Sequence, residues 1–170
     1  MAPDNLYYKV KNIFSPEKRQ QMLELANKPG AFFDNSYGIS FFKHPLQLDS
    51  LEINGPWQVQ MLKQTVEESK IHKDKNRHNE FDDIYMPRAT VINWPIQGKG
   101  YTVFYAEDKH ACIGTVSYTN ESGAILNTGG YNHNVILSSD QPRIVFQLCF
   151  DTNFERVKDF YEKDLSMRTY

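Results

Sequence analysis

The sequence predicts an α+β, mainly β fold: a barrel or double-sheet jelly roll of short strands, with two or three flanking helices. Three observations point there. From residue 87 onward, short apolar runs follow one another over 89–96, 101–105, 113–118, 124–127, 134–137 and 144–150, with turn residues between them. Such closely spaced runs are the mark of an all-β core. Aromatic residues are abundant (11 Phe, 10 Tyr and 2 Trp), and they suit pleated, half-buried surfaces. Helix signals are confined to the stretches before residue 71 and after residue 150.

Taken in order, residues 7–14 have the aromatic and β-branched content of an opening strand. Ser15-Pro16-Glu17 then reads as a helix start, with Ser15 as N-cap and Pro16 at the first helical position. This helix carries Met22, Leu23, Leu25 and Ala26 inward and stops near Pro29-Gly30. Residues 31–50, with Phe32, Phe33, Tyr37, Phe41 and Phe42, read as one or two short strands with loops. A second helix is expected over 56–70, where Trp57, Met61, Leu62 and Val66 recur at three-to-four spacing. Residues 71–80 are charge-mixed and read as an exposed loop.

The six core strands follow, punctuated by Gln97-Gly98-Lys99-Gly100, Asn120-Glu121-Ser122-Gly123, Gly129-Gly130 and Ser138-Ser139-Asp140-Gln141-Pro142. On the last strand Arg143, Val145, Gln147 and Cys149 share one face, and Ile144, Phe146, Leu148 and Phe150 the other. A tail with Val157, Phe160 and Leu165 closes the chain as a helix. The expected organisation is one domain over 1–170: a strand and helices over 1–86, the β core over 87–150 and a C-terminal helix over 151–170.

Composition narrows the function classes. A net charge of −2 gives no electrostatic reason to expect nucleic acid or an anionic membrane as partner. No apolar run reaches the roughly 18–20 residues of a membrane span. The N-terminus lacks the basic and apolar stretches of a signal peptide. Cys112 and Cys149 have no metal-type spacing and suggest no disulfide framework. Together these features lead to the expectation of a cytoplasmic chain.

The segment richest in chemistry is 127–150. His133 begins a short strand, a polar turn follows, and Arg143 opens the next strand ten residues later. Adjacent antiparallel strands can bring the two side chains to one mouth of a barrel. There a neutral imidazole can bind a metal, and a planar guanidinium can grip a carboxylate by two parallel hydrogen bonds. Arg88, at the start of the first core strand, is a further anion-binding candidate. Tyr101, Tyr105 and Tyr131 are candidate hydrogen-bonding groups; the same residues also suit a core or girdle.

His133 and Arg143, in this strand–turn–strand setting, resemble the C-terminal half of the double-stranded β-helix of the 2-oxoglutarate- and Fe(II)-dependent oxygenases. Small phage- or bacterium-borne members look most similar. The resemblance covers roughly residues 87–150. It implies a double-stranded β-helix (jelly-roll) core, His133 as an iron ligand and Arg143 as the clamp for the distal carboxylate of 2-oxoglutarate. Fe(II) and 2-oxoglutarate are the cofactors it implies, and Tyr105 and Arg88 join Arg143 as candidate cosubstrate contacts.

The chain departs from that pattern twice. The family's His-x-Asp/Glu pair is expected shortly before 101–105, and no His or carboxylate stands at 96–99. Val145 occupies the position where many members place a Ser. His-x-acid strings do occur at His72-Lys73-Asp74 and His78-Asn79-Glu80, both in the stretch read as exposed loop. His72 and Asp74 are the first candidates for the missing ligands, with His110 beside Asp108 behind them. Three readings stay open: a hydroxylase of this kind with a divergent metal site, a relative that has lost iron and binds a small carboxylate or a protein partner, and an unrelated jelly-roll interaction module. Nucleic acid and membrane are not expected as partners; a homo-oligomer is compatible with all three.

Overall fold

The computed structural model describes residues 3–33, 38–44, 46, 57–74, 77–79, 84–86, 89–119 and 121–170. The opening strand β1 (Tyr7–Lys11) leads into helix α1 (Pro16–Ala26). As the sequence predicts, Ser15 caps this helix by accepting a hydrogen bond from the Lys18 N–H at 3.1 Å. Met22 and Ala26 are buried, whereas Leu25, expected inward, is 38% exposed.

The remaining strands are β2 (Ile39–Phe41), β3 (Trp57–Gln64), β4 (Arg77–Asn79), β5 (Ile84–Met86), β6 (Thr90–Gln97), β7 (Gly100–Tyr105), β8 (Cys112–Ser117), β9 (Ser122–Leu126), β10 (Asn132–Leu137) and β11 (Arg143–Phe150). Helix α2 (Phe154–Lys163), capped by Asn153, and a short 3-10 turn (Leu165–Met167) complete the described chain. All six runs predicted between 87 and 150 are strands. Their pairing makes a jelly roll: a six-stranded sheet in the order β1-β9-β6-β11-β3-β2 and a three-stranded sheet in the order β10-β7-β8, with β4 and β5 paired separately.

Where a helix is expected over 56–70, residues Trp57–Gln64 form a strand instead. β3 pairs antiparallel with β11 from Trp57↔Phe150 to Gln64↔Arg143, and β2 lies on its other side. The period of two was present in the sequence, with Val59 and Met61 alternating with Gln58 and Gln60. The glutamines imitate the solvent face of a helix, yet Gln60 and Gln64 are buried. The β core therefore begins well before residue 87 and recruits β1, β2 and β3 from the first half of the chain.

The polar stretch after β3 is also part of the core. Bridges Glu68↔Ile136 and His72↔His133 lay it antiparallel along the edge of β10, where the end of the helix (to 70) and then an exposed loop (from 71) are expected. The Leu137 N–H donates to the Glu67 carbonyl at 2.8 Å and the Ser69 N–H to the Val135 carbonyl at 3.0 Å. Between the two bridges the register slips by one residue, and the Ser69 hydroxyl accepts the Val135 N–H there. This segment is charged because it is an edge, and charge on an edge discourages unwanted strand pairing.

Two apolar layers result. The outer face of the large sheet, with Met61, Ile92, Trp94, Ile144, Phe146, Leu148 and Phe150, packs on Ile13, Phe14 and Met22 of the α1 region and on Val157, Tyr161 and Leu165 of the C-terminal helices. Each such large side chain contributes about 1.5–3 kcal/mol by leaving water. Between the sheets a smaller cluster of Leu6, Val91, Phe104, Val116, Tyr118, Leu126 and Cys149 fills one part of the interior. The remaining part of that interior is a cavity. No helix among the described residues is long and apolar enough to cross a membrane.

Candidate functional site

The cavity has a volume of about 260 Å³. β11 supplies Arg143, Val145 and Gln147, the polar face expected from strand alternation, and β6 supplies Asn93. The opposite wall carries Thr102 of β7 and His133 of β10, and the edge segment adds His72 and Asp74. His133 and Arg143, ten residues apart in sequence, therefore line one cavity from opposite sheets.

His72, Asp74 and His133 converge: one ligand atom from each lies within 4.8 Å of the others. His72 and Asp74 are two apart on extended chain, so both side chains project the same way. His72 exchanges both backbone hydrogen bonds with His133, at 3.0 and 2.9 Å, and the Asp74 N–H donates to the Thr128 carbonyl at 2.9 Å. The backbone thus holds all three side chains in register.

The second nitrogen of each imidazole fixes its tautomer. Nδ1 of His72 lies 2.7 Å from the Lys70 carbonyl, and Nδ1 of His133 lies 3.1 Å from the Tyr131 carbonyl. A carbonyl only accepts, so each Nδ1 bears a proton, and in the neutral form of each ring Nε2 is the atom with the free lone pair. Both Nε2 atoms face one carboxylate: Asp74 Oδ1 is 3.1 Å from His72 Nε2 and 3.9 Å from His133 Nε2. With both rings neutral, these three atoms are donors that a cation between them would stabilise. Ligand bonds of about 2.1 Å at right angles span roughly 3 Å between donors, close to the first of these separations. Two imidazoles and one carboxylate with open positions are the donor set of a non-haem iron centre. His133 is 6% exposed, whereas the His72 side chain is half-exposed, which leaves one side of the cluster open.

Arg143 sits elsewhere in the cavity, 3% exposed. Burial pushes its guanidinium pKa down, and nearby Tyr118 pushes it back up. The guanidinium carbon lies 5.2 Å from the Tyr118 ring centroid. Neither Asp140 nor Asp151 forms an ion pair with it, and its Nη2 has no hydrogen-bond partner. Leaving a buried charged donor unsatisfied is costly, so a nitrogen in this state fits an anionic ligand. Gln64 Oε1 and Thr128 Oγ1, both buried and lining the cavity, are likewise without partners.

The turn before β7 makes room for this side chain. A Cβ on Gly100 would stand 3.0 Å from Arg143 Cδ and 2.9 Å from the Ile136 carbonyl oxygen. Gly98, at φ +75°, lies against the Pro142 carbonyl in the same corner. The Gly-x-Gly spacing, which reads only as a turn in the sequence, is what lets the guanidinium pack inside.

The other candidates lie apart from this cluster. Tyr105 does not line the cavity. On β7 the inward row is Thr102 and Phe104, so Tyr105 faces away, and its hydroxyl donates to Asn134 Oδ1 at 3.0 Å. Its pKa is raised, first by burial and then by Glu68. Tyr101 lines a separate shallow groove, and the Tyr131 hydroxyl donates to Asn5. His110 is in an exposed turn where its backbone N–H donates to Asp108 and holds that carboxyl below its ordinary value. Arg88 and Glu80 lie outside the described residues, as does the His78 side chain. Sequence reasoning missed Tyr118 and Thr102, whose oxygens are 3.0 Å apart beside Arg143. Nothing in their local sequence marks them, because they come together only when β7 and β8 pair.

No family model matches the chain, and no curated protein matches it. Solved structures do. A prolyl-4-hydroxylase from Pseudomonas putida superposes with a TM-score of 0.54 at 12% identity, over 85% of this chain and 91% of that one. An oxalate decarboxylase from Bacillus subtilis (TM-score 0.42, 15% identity) matches over 69% of this chain and 27% of its own. A capsular polysaccharide assembling protein from Staphylococcus aureus (0.42, 14%) matches over 70% and 28%. The chain thus spans about a quarter of the length of those last two proteins. The fold defines the class: this is a double-stranded β-helix, or jelly-roll, protein. Within that fold the chain gathers two histidines and an aspartate in an arrangement that can hold a divalent metal ion.

Proposed function

We propose that the protein is a 2-oxoglutarate- and Fe(II)-dependent oxygenase of the hydroxylase kind. One observation supports this above the others: a His-Asp-His cluster with both Nε2 atoms turned toward the carboxylate shares a cavity with a buried arginine whose Nη2 has no partner. His72, Asp74 and His133 would hold the iron, and Arg143 would hold the distal carboxylate of 2-oxoglutarate. Bound together, iron and 2-oxoglutarate supply the activation of dioxygen for insertion into a substrate C–H bond.

The chain's own groups do the rest. Lys70 and Tyr131 carbonyls keep the imidazoles in the ligating tautomer. Arg143 neutralises the cosubstrate carboxylate in a site that excludes water, where a charge-assisted pair is strongest. The Tyr118 and Thr102 hydroxyls take the place of the Ser that position 145 lacks. The half-exposed His72 side leaves the route by which a substrate reaches the metal.

The test is turnover. With Fe(II), ascorbate and dioxygen, the protein is expected to convert 2-oxoglutarate to succinate, even without its primary substrate, at a slow uncoupled rate. His133→Ala, Asp74→Ala and Arg143→Met should each abolish the conversion. Equal conversion by wild type and all three variants would contradict the assignment.

A further inference from the structure

A chain of buried amides crosses three neighbouring strands and ends at the cavity. Gln60 Nε2 on β3 donates to Gln147 Oε1 on β11 at 2.5 Å, and Gln147 Nε2 donates to Asn93 Oδ1 on β6 at 2.8 Å. All three residues are at most 7% exposed. Cys149 Sγ also donates to Gln147 Oε1, at 3.3 Å. Two donors on that oxygen fix the Gln147 amide, whose N–H then has to face Asn93. Asn93 in turn has its oxygen engaged, and its Nδ2, which makes no hydrogen bond among the described residues, is the free end of the chain on a residue that lines the cavity.

The polarity of this chain has a purpose only if something accepts at its end. A buried amide run is costly unless satisfied, and an apolar pair would have closed the sheet as well. We infer that Asn93 is a ligand-binding residue, presenting an N–H donor to an oxygen of the bound 2-oxo acid, and that Gln60 and Gln147 are positioning residues that set the direction of its amide. This rests on the 2-oxoglutarate reading above. Gln60 does not line the cavity, so any effect of changing it on ligand affinity has to pass through Gln147.

That separation gives the test. The affinity of Mn(II)-loaded protein for 2-oxoglutarate is measured by calorimetry, Mn(II) affinity alone by electron paramagnetic resonance, and folding by thermal unfolding. Asn93→Leu removes the donor and is expected to weaken 2-oxoglutarate roughly tenfold. Asn93→Asp keeps the shape but turns the donor into an acceptor, and should weaken it more. Gln60→Glu can only accept from Gln147 when ionised, so it inverts both downstream amides and is expected to cost about tenfold. Gln60→Leu leaves Cys149 to hold the polarity and should cost less than about threefold. Mn(II) affinity should be unchanged throughout.

Wild-type affinity in both Asn93 variants would overturn the ligand contact. A loss in the Asn93 variants with equal affinities for Gln60→Glu and Gln60→Leu would overturn the positioning role. If one Asn93 variant does not fold, the other decides. Wild-type protein that binds Mn(II) but not 2-oxoglutarate would overturn the oxygenase reading itself, and this inference with it.

Discussion

The two faces of β11 are buried alike and built oppositely. Ile144, Phe146, Leu148 and Phe150 look toward the helices and are closed over by Phe14, Val157 and Leu165. Arg143, Val145, Gln147 and Cys149 look between the sheets and include a charge, an amide and a thiol, with Arg143 Nη2 left without a partner. On the first face every atom gains from leaving water. On the second, solvation is given up with incomplete return, and that deficit sets the cavity side apart from the helix side.

Substitutions on the two faces should therefore behave in opposite ways. The largest effect is expected on the helix face, where Phe146→Ala leaves a cavity and costs about 3–5 kcal/mol of stability, measured by denaturant unfolding, without selective loss of metal binding. Arg143→Met should do the reverse. It removes a buried, unpaired charge, so stability without ligand is expected to stay level or rise by about 1–4 kcal/mol, while stabilisation by 2-oxoglutarate disappears. An Arg143→Met protein that is strongly destabilised would place the arginine with the structural face and break the contrast.

Smaller is the expected effect of Gly100→Ala. The added methyl would crowd Arg143 Cδ and the Ile136 carbonyl, at a cost of about 1–3 kcal/mol, and should also weaken 2-oxoglutarate binding by displacing the guanidinium. Val145→Ser, read by the same titration, is a finer probe. If Tyr118 and Thr102 already serve the carboxylate, the added hydroxyl should improve affinity by less than about tenfold.

The same contrast explains what was legible in the sequence. The six strands after residue 87, the Ser15 cap and the alternation along β11 are local patterns, and each is found where the sequence predicts it. β3 reads as a helix because Gln60 and Gln64, buried against Gln147 and the cavity respectively, are spaced like a solvent-facing stripe. His72 and Asp74 were assigned to a loop because an edge segment is charged by necessity. Their proximity to His133 comes from pairing across some sixty residues of chain, which no local window contains. The His-x-Asp string at 72–74 stands on the segment paired with β10, well before 96–99, because the β core already begins at β3.

The most direct measurement is thermal unfolding of the wild-type protein with Mn(II), with 2-oxoglutarate, and with both. A ligand at 100 times its dissociation constant stabilises the native state by about 2.7 kcal/mol, which for a chain of this size raises Tm by roughly 5–10 °C. The expected result is a rise with Mn(II), a further rise when 2-oxoglutarate is added, no metal response in His133→Ala and no 2-oxoglutarate response in Arg143→Met. No shift with any combination, or a Mn(II) shift of equal size in His133→Ala, would contradict a metal- and 2-oxoglutarate-binding role for this cavity.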